Sequence, residues 1–72
     1  MNTEITSTKE LGAEIRKRRK HDKLRIDDVA GLCNVSVQFL FDLEKGKPTI
    51  QFDKALSVAR MFGIKLFFEE EA

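Results

Sequence analysis

Apolar positions recur three and four residues apart along most of this chain, and a few turn-forming residues interrupt the pattern. The densest part runs from Leu24 to Thr49. Two short helical patterns lie there, separated by a break at Cys33-Asn34-Val35-Ser36, and Gly46 and Pro48 stop the second one. Val29, Ala30 and Cys33 share one side of the first pattern, and Leu40 and Leu43 share one side of the second. Each helix therefore has an apolar face to bury against the other. Asn34 takes a left-handed turn conformation at low cost, and Ser36 caps the amides of the helix that follows. Two short helices joined in this way, the second presented N-terminus first, form a helix-turn-helix pattern.

The flanking segments read in the same terms. Residues 1–6 show no periodicity and are expected to be a flexible or loosely docked arm. Ser7 and Glu10 form a capping box, so a first helix is predicted from Thr8 to His21. Its apolar positions Leu11 and Ile15 extend at helical spacing to Arg18 and Arg19, which sends one arginine toward the core. Glu44 is the natural partner, and a two-pronged Arg19–Glu44 pair is expected. A fourth helix is predicted from Ile50 to Phe62 with Thr49 as N-cap, and its core face is Phe52, Ala55, Leu56, Ala59 and Phe62. Gly63 stops it.

After Gly63 the run Ile64-Lys65-Leu66-Phe67-Phe68 is short, β-prone and too apolar for a solvated tail. A lone strand has no partner in its own chain, and its edge invites a second copy. The expectation is a dimerisation strand over residues 64–69 carrying Ile64, Leu66, Phe67 and Phe68, followed by an acidic tail at 70–72. The alternative is a short helix or coil packed on its own core. The predicted architecture is mainly α: a compact four-helix domain over 7–63 with a C-terminal β-strand pairing across a dimer.

Composition narrows the function. The 72 residues make one domain whose core is near the lower limit for independent stability, so oligomerisation would help it. Cys33 is the single cysteine and lies on an apolar face, where a thiol packs as a small hydrophobe. No second cysteine or histidine stands at metal-ligand spacing, and His21 is expected to be exposed. No paired nucleophile and base or glycine-rich phosphate loop appears, so neither an enzyme nor a cofactor is expected. No signal peptide or membrane-length apolar run is present either, so a soluble cytoplasmic protein is expected.

The net charge is only +1, but seven of the thirteen basic residues fall between Arg16 and Arg25. A basic block next to a helix-turn-helix points to phosphate contacts for some of these residues. The plain alternative is a solvated helix C-terminus, where the dipole favours cations. With Leu40, Leu43 and Glu44 facing inward, Gln38 and Asp42 lie on the opposite side, and Ser36 and Val37 project from the leading end. Gln38 matches adenine N6 and N7, whereas Ser36 and Val37 suit a phosphate, a base edge or a thymine methyl. Asp42 accepts only from a cytosine amino group and otherwise repels phosphates. Phe39 and Phe41 are unusual on a polar reading surface; they fit packing against a neighbouring loop or helix, a thymine methyl or a protein partner.

From Leu11 to Leu66 the sequence resembles the lambda-repressor-like (Xre-type) helix-turn-helix family. The landmarks are Leu24, Val29-Ala30, Asn34-Val35-Ser36, Leu40, Leu43-Glu44, Gly46-Lys47 and Ala59-Arg60-Met61-Phe62-Gly63-Ile64. The segment Phe39 to Thr49, with a strand in place of a fifth helix, is similar to the HipB-like antitoxins. Members of the lambda-repressor-like family typically have Ser or Thr and then Gln at the start of the second helix, where the Gln contacts a phosphate. Here Arg25 and Ile26 stand there, and the resemblance implies that the contact passes to Arg25. The surface expected to meet DNA is then Arg25, Ser36, Val37, Gln38, Phe41, Asp42, Lys45, Lys47 and Thr49. The resemblance implies a bacterial homodimer on a palindromic operator that represses its own operon and binds a HipA-like serine/threonine kinase toxin. The alternatives are a free-standing Xre-type regulator without a toxin and a pure protein-interaction module, which leaves the helix-turn-helix unexplained.

Overall fold

All four helices end in the same way, and that repeated ending sets the path of the chain. The computed structural model describes residues 4–70 and contains α1 (Thr8–His21), α2 (Ile26–Cys33), α3 (Val37–Lys45) and α4 (Phe52–Met61). After them Lys23, Asn34, Gly46 and Gly63 take left-handed conformations, with φ of 57°, 55°, 81° and 74°. The next residue's amide then donates back five positions: Leu24 to the Arg19 carbonyl at 3.0 Å, Val35 to Ala30 at 3.0 Å, Lys47 to Asp42 at 3.0 Å and Ile64 to Ala59 at 2.9 Å. This closure satisfies carbonyls that a helix end would otherwise leave bare, and it turns the following side chain back onto the helix. Leu24, Val35 and Ile64 use that turn to reach the core.

The starts of the helices are less uniform. The Ser7 hydroxyl accepts from the Glu10 amide at 3.1 Å, as the capping box requires. The Glu10 carboxylate accepts from the Thr6 amide at 2.9 Å, and also from the Thr6 hydroxyl. The last residue of the expected arm is therefore docked, while residues 1–3 of that arm lie outside the described residues. Ser36 caps α3 by accepting from the Phe39 amide at 2.9 Å. Helix α4 begins two residues later than expected, with Gln51 and not Thr49 at its N-cap. Ile50 packs on the core, which keeps the chain extended past Thr49 before the helix can start.

The core comprises Leu11, Ile15, Val29, Ala30, Leu40, Leu43, Ala55, Val58, Ala59 and Ile64. Burying each large aliphatic side chain contributes about 1.5–3 kcal/mol, so both α1 and α3 depend on this shared interior for stability. On α4 the buried side is Ala55, Val58 and Ala59, and Phe52, expected inside, is 62% exposed at the helix's first position. Cys33 is half-buried, with its Sγ 3.4 Å from the Met61 Sδ, and burial pushes its thiol pKa up. It is therefore a packed, protonated thiol with little nucleophilic character.

The C-terminal strand expected over 64–69 is not formed in the chain: residues 64–70 are irregular, and no strand occurs among the described residues. The cause is the ending of α4. Ile64 belongs to its turn and is 6% exposed within the core, so it is a core residue of its own chain and not a dimerisation residue. Without a second strand to pair with, the remaining backbone has no ladder to form. Leu66, Phe67 and Phe68 follow with exposures of 48%, 76% and 82%. Residues 71–72 of the expected acidic tail lie outside the described residues.

Candidate DNA-binding surface

Helix α3 is fixed on its inner side and open on its outer side. Leu40 and Leu43 are fully buried, and the Glu44 carboxylate accepts from Arg19 Nε at 2.7 Å and Nη2 at 2.9 Å. The third arginine nitrogen donates to the Leu24 carbonyl at 2.9 Å, which ties the turn before α2 to the same pair. At the other end of α1, the Thr8 hydroxyl donates to the Gly46 carbonyl at 3.2 Å. Between these points Gly12 lies so close to the Leu43 carbonyl that no side chain fits there. Helix α1 is thus a splint that sets the orientation of α3.

The outer side carries two rows. Val37, Phe41 and Lys45 form one at helical spacing, with Val37 and Phe41 about half exposed and Lys45 Nζ 4.3 Å from the Phe41 ring centre. The ring face attracts the ammonium, so Phe41 remains at the surface under a charge. Phe39, by contrast, packs partly against the core. Gln38 and Asp42 form the other row: Gln38 Nε2 donates to Asp42 Oδ1 at 2.9 Å. Lys47 Nζ stands 3.8 Å from Asp42 Oδ2. Asp42 is therefore neither free nor uncompensated, and the repulsion expected between it and phosphates is offset by an adjacent cation.

The other predicted residues lie on separate parts of the surface. Ser36 uses its oxygen as the cap of α3, and its hydroxyl hydrogen remains available to donate outward. Arg25 occupies the N-cap position of α2 without a capping side chain, and its Nε pairs with Asp27 Oδ1 at 3.2 Å while both remain largely exposed. Thr49 is exposed in the loop before α4. Of the basic block, Arg18 and Arg19 are committed internally: Arg18 pairs with Glu14 at 3.0 Å and donates to the Phe62 carbonyl at 2.8 Å. Arg16, Lys17, Lys20, Lys23 and Arg25 remain exposed.

The family model described as Helix-turn-helix matches residues 15–68, which span all of α2, α3 and α4 and the second half of α1. The chain belongs to the Xre-type, lambda-repressor-like helix-turn-helix family. Within it, the chain is 39% identical over 66 residues to the uncharacterised HTH-type transcriptional regulator y4mF of Sinorhizobium fredii, covering 92% of this chain and 87% of that protein. It is also 35% identical over 54 residues to the HTH-type transcriptional regulator DdrOP3 of Deinococcus deserti, covering 75% of this chain but only 42% of that longer protein.

For a helix-turn-helix protein, the positions that sequence reasoning missed are those acting through other residues. Gln38 and Asp42 stand four apart, a spacing at which helical Gln and Asp side chains bond to each other, yet they read from sequence as two separate base contacts. Gly12 and Thr8 gave no periodic signal, because a close backbone approach is visible only once α1 and α3 are packed. Among the described residues no helix is long and apolar enough to cross a membrane, and no group of three or more His, Cys, Asp or Glu is arranged to hold a metal ion.

Proposed function

We propose that the protein is a sequence-specific DNA-binding transcriptional repressor that inserts α3 into the major groove and binds a palindromic operator as a homodimer. The observation that carries this reading is the outward Gln38 amide on a helix whose opposite side is locked by Leu40, Leu43 and the Arg19–Glu44 pair. A rigid helix with a fixed amide at its leading end suits adenine recognition, and Arg25 suits a phosphate. The reading gives the protein no catalytic role. It is tested by selecting binding sites from a randomised duplex pool and then comparing variants on the selected site. Gln38→Ala is expected to cost about 1–3 kcal/mol on that site and to relax one base pair per half-site. Arg25→Ala is expected to weaken all sequences alike and to lower the salt slope by about one. An unchanged ratio of selected to random DNA for Gln38→Ala would refute this placement of the reading face.

The dimer in this reading forms through residues 65–69, beyond the buried Ile64, where Leu66, Phe67 and Phe68 are exposed. Two extended segments pairing across a two-fold axis would cover Leu66 and Phe68 and set two α3 helices about 34 Å apart, matching successive major grooves. Sedimentation of a Leu66→Asp variant is expected to show a monomer. A second partner is favoured by Phe67, which alternates to the outer side of such a ribbon: a HipA-like serine/threonine kinase toxin, making the protein the antitoxin that represses the shared operon. Co-purification with a kinase-like protein encoded beside it tests this. Failure to co-purify leaves the reading as a regulator without a toxin.

A further inference from the structure

We propose that Asp42 is a positioning residue that makes Gln38 selective for adenine over guanine. The inference rests on the reading of Gln38 as the base-contacting residue and adds a reason why its amide faces one way. A carboxylate only accepts hydrogen bonds, so at 2.9 Å from Asp42 Oδ1 the Gln38 side chain must present its amino group and not its carbonyl. One of the two amino hydrogens is thereby committed inside the protein. The groups left for the base are the second hydrogen and the carbonyl oxygen Oε1, one donor and one acceptor.

Adenine presents the complement in the major groove, an N7 acceptor beside an N6 amino donor. Guanine presents two acceptors, N7 and O6. A glutamine free to rotate meets guanine by turning its amino group outward. Held by Asp42, Gln38 can give N7 one hydrogen but must then set its own Oε1 against guanine O6. Two acceptors facing each other in a desolvated groove leave both without a partner, and that mismatch is the selectivity. The ammonium of Lys47 stands 3.8 Å from the other Asp42 oxygen, Oδ2, which leaves Oδ1 to Gln38. The three residues form one chain from the loop after α3 to the base, with Asp42 acting through Gln38.

The test uses the full-length protein on its selected duplex site and on the same site with guanine in place of the adenine assigned to Gln38. Wild-type protein is expected to prefer adenine by roughly tenfold or more. Asp42→Ala removes the constraint and is expected to bring that ratio close to one, mainly through tighter binding of the guanine site. Asp42→Asn preserves side-chain size and offers both a donor and an acceptor, so it holds either amide orientation and is also expected to admit guanine. A purely electrostatic role for Asp42 predicts something different: both variants would bind every duplex more tightly with the ratio unchanged, and that result overturns the proposal. If Gln38→Ala abolishes the adenine preference while the Asp42 variants keep it, the base-reading role stands and the positioning role fails. If Gln38→Ala itself keeps the preference, both fail together.

Discussion

Arg19 and Glu44 meet as a two-pronged ion pair, at 2.7 and 2.9 Å, between side chains only 12% and 6% exposed. The hydrogen bond to Glu44 raises the arginine pKa, and burial opposes it with a smaller effect in the other direction. The pair joins α1 to α3, and the third arginine nitrogen joins both to the turn before α2. One guanidinium thus holds three of the four helices in the arrangement that presents Gln38.

Arg19→Ala is therefore expected to destabilise the fold by about 3–5 kcal/mol, because Glu44 is left buried and unpaired. In a domain of this size that is most of the total stability. Arg16→Ala, a change at an exposed position of the same helix, is expected to stay within about 0.5 kcal/mol. Removing both partners should cost less than the sum of the single changes, since the stranded charge is gone. Thermal melts of the parent, the Arg16→Ala, Arg19→Ala and Glu44→Ala variants and the Arg19/Glu44 double variant check this, and equal melting temperatures for the Arg19 and Arg16 variants would contradict it.

The Arg19–Glu44 pair was legible in the sequence because two independent periodicities pointed at one another. So were the Asn34 turn and the Ser7 and Ser36 caps, where local chemistry alone decides the conformation. The segment after Gly63 was not legible. Its β-prone composition is real, but Ile64 answers first to the turn that ends α4 and is drawn into the core. Lys23 was hidden for a related reason: a lysine in a left-handed turn carries no residue-type signal, and only the amide of Leu24 donating back to Arg19 reveals it. At the candidate surface the residue types were readable, whereas their coupling through Asp42 exists only once α3 and the loop after it are folded.

Glu10 supplies a pH dependence. Hydrogen bonds from the Thr6 hydroxyl and amide hold its carboxyl below the ordinary value of 4.5. A depressed folded-state pKa stabilises the fold fully above the unfolded value, and that contribution is lost as pH falls through the folded one. Glu10→Ala is therefore expected to melt below the parent at pH 7. The two melting curves should converge as the pH drops through and below the carboxylate range. A difference that stays constant down to the most acid pH at which both fold would show that the carboxylate charge plays no part in the cap.

The two helical glycines should respond to alanine in opposite directions. At Gly12 a Cβ would penetrate the Leu43 carbonyl oxygen and stand 3.0 Å from the carbonyl carbon, all of it backbone that cannot rotate away. Gly12→Ala must push α1 off α3, and a cost of about 3 kcal/mol, the upper end of overpacking, is expected. At Gly31 a Cβ meets nothing within 4 Å, and the residue is exposed on α2. Gly31→Ala then changes only the conformational freedom of the chain and should stabilise by about 0.5–1 kcal/mol. Because α1 orients α3, the Gly12 variant should also lose operator affinity at temperatures where it is still folded, while the Gly31 variant keeps it. Denaturant midpoints and binding titrations on the same samples separate the two effects, and a Gly12→Ala protein as stable as the parent would mean that the close approach of α1 to Leu43 is not a feature of the folded state.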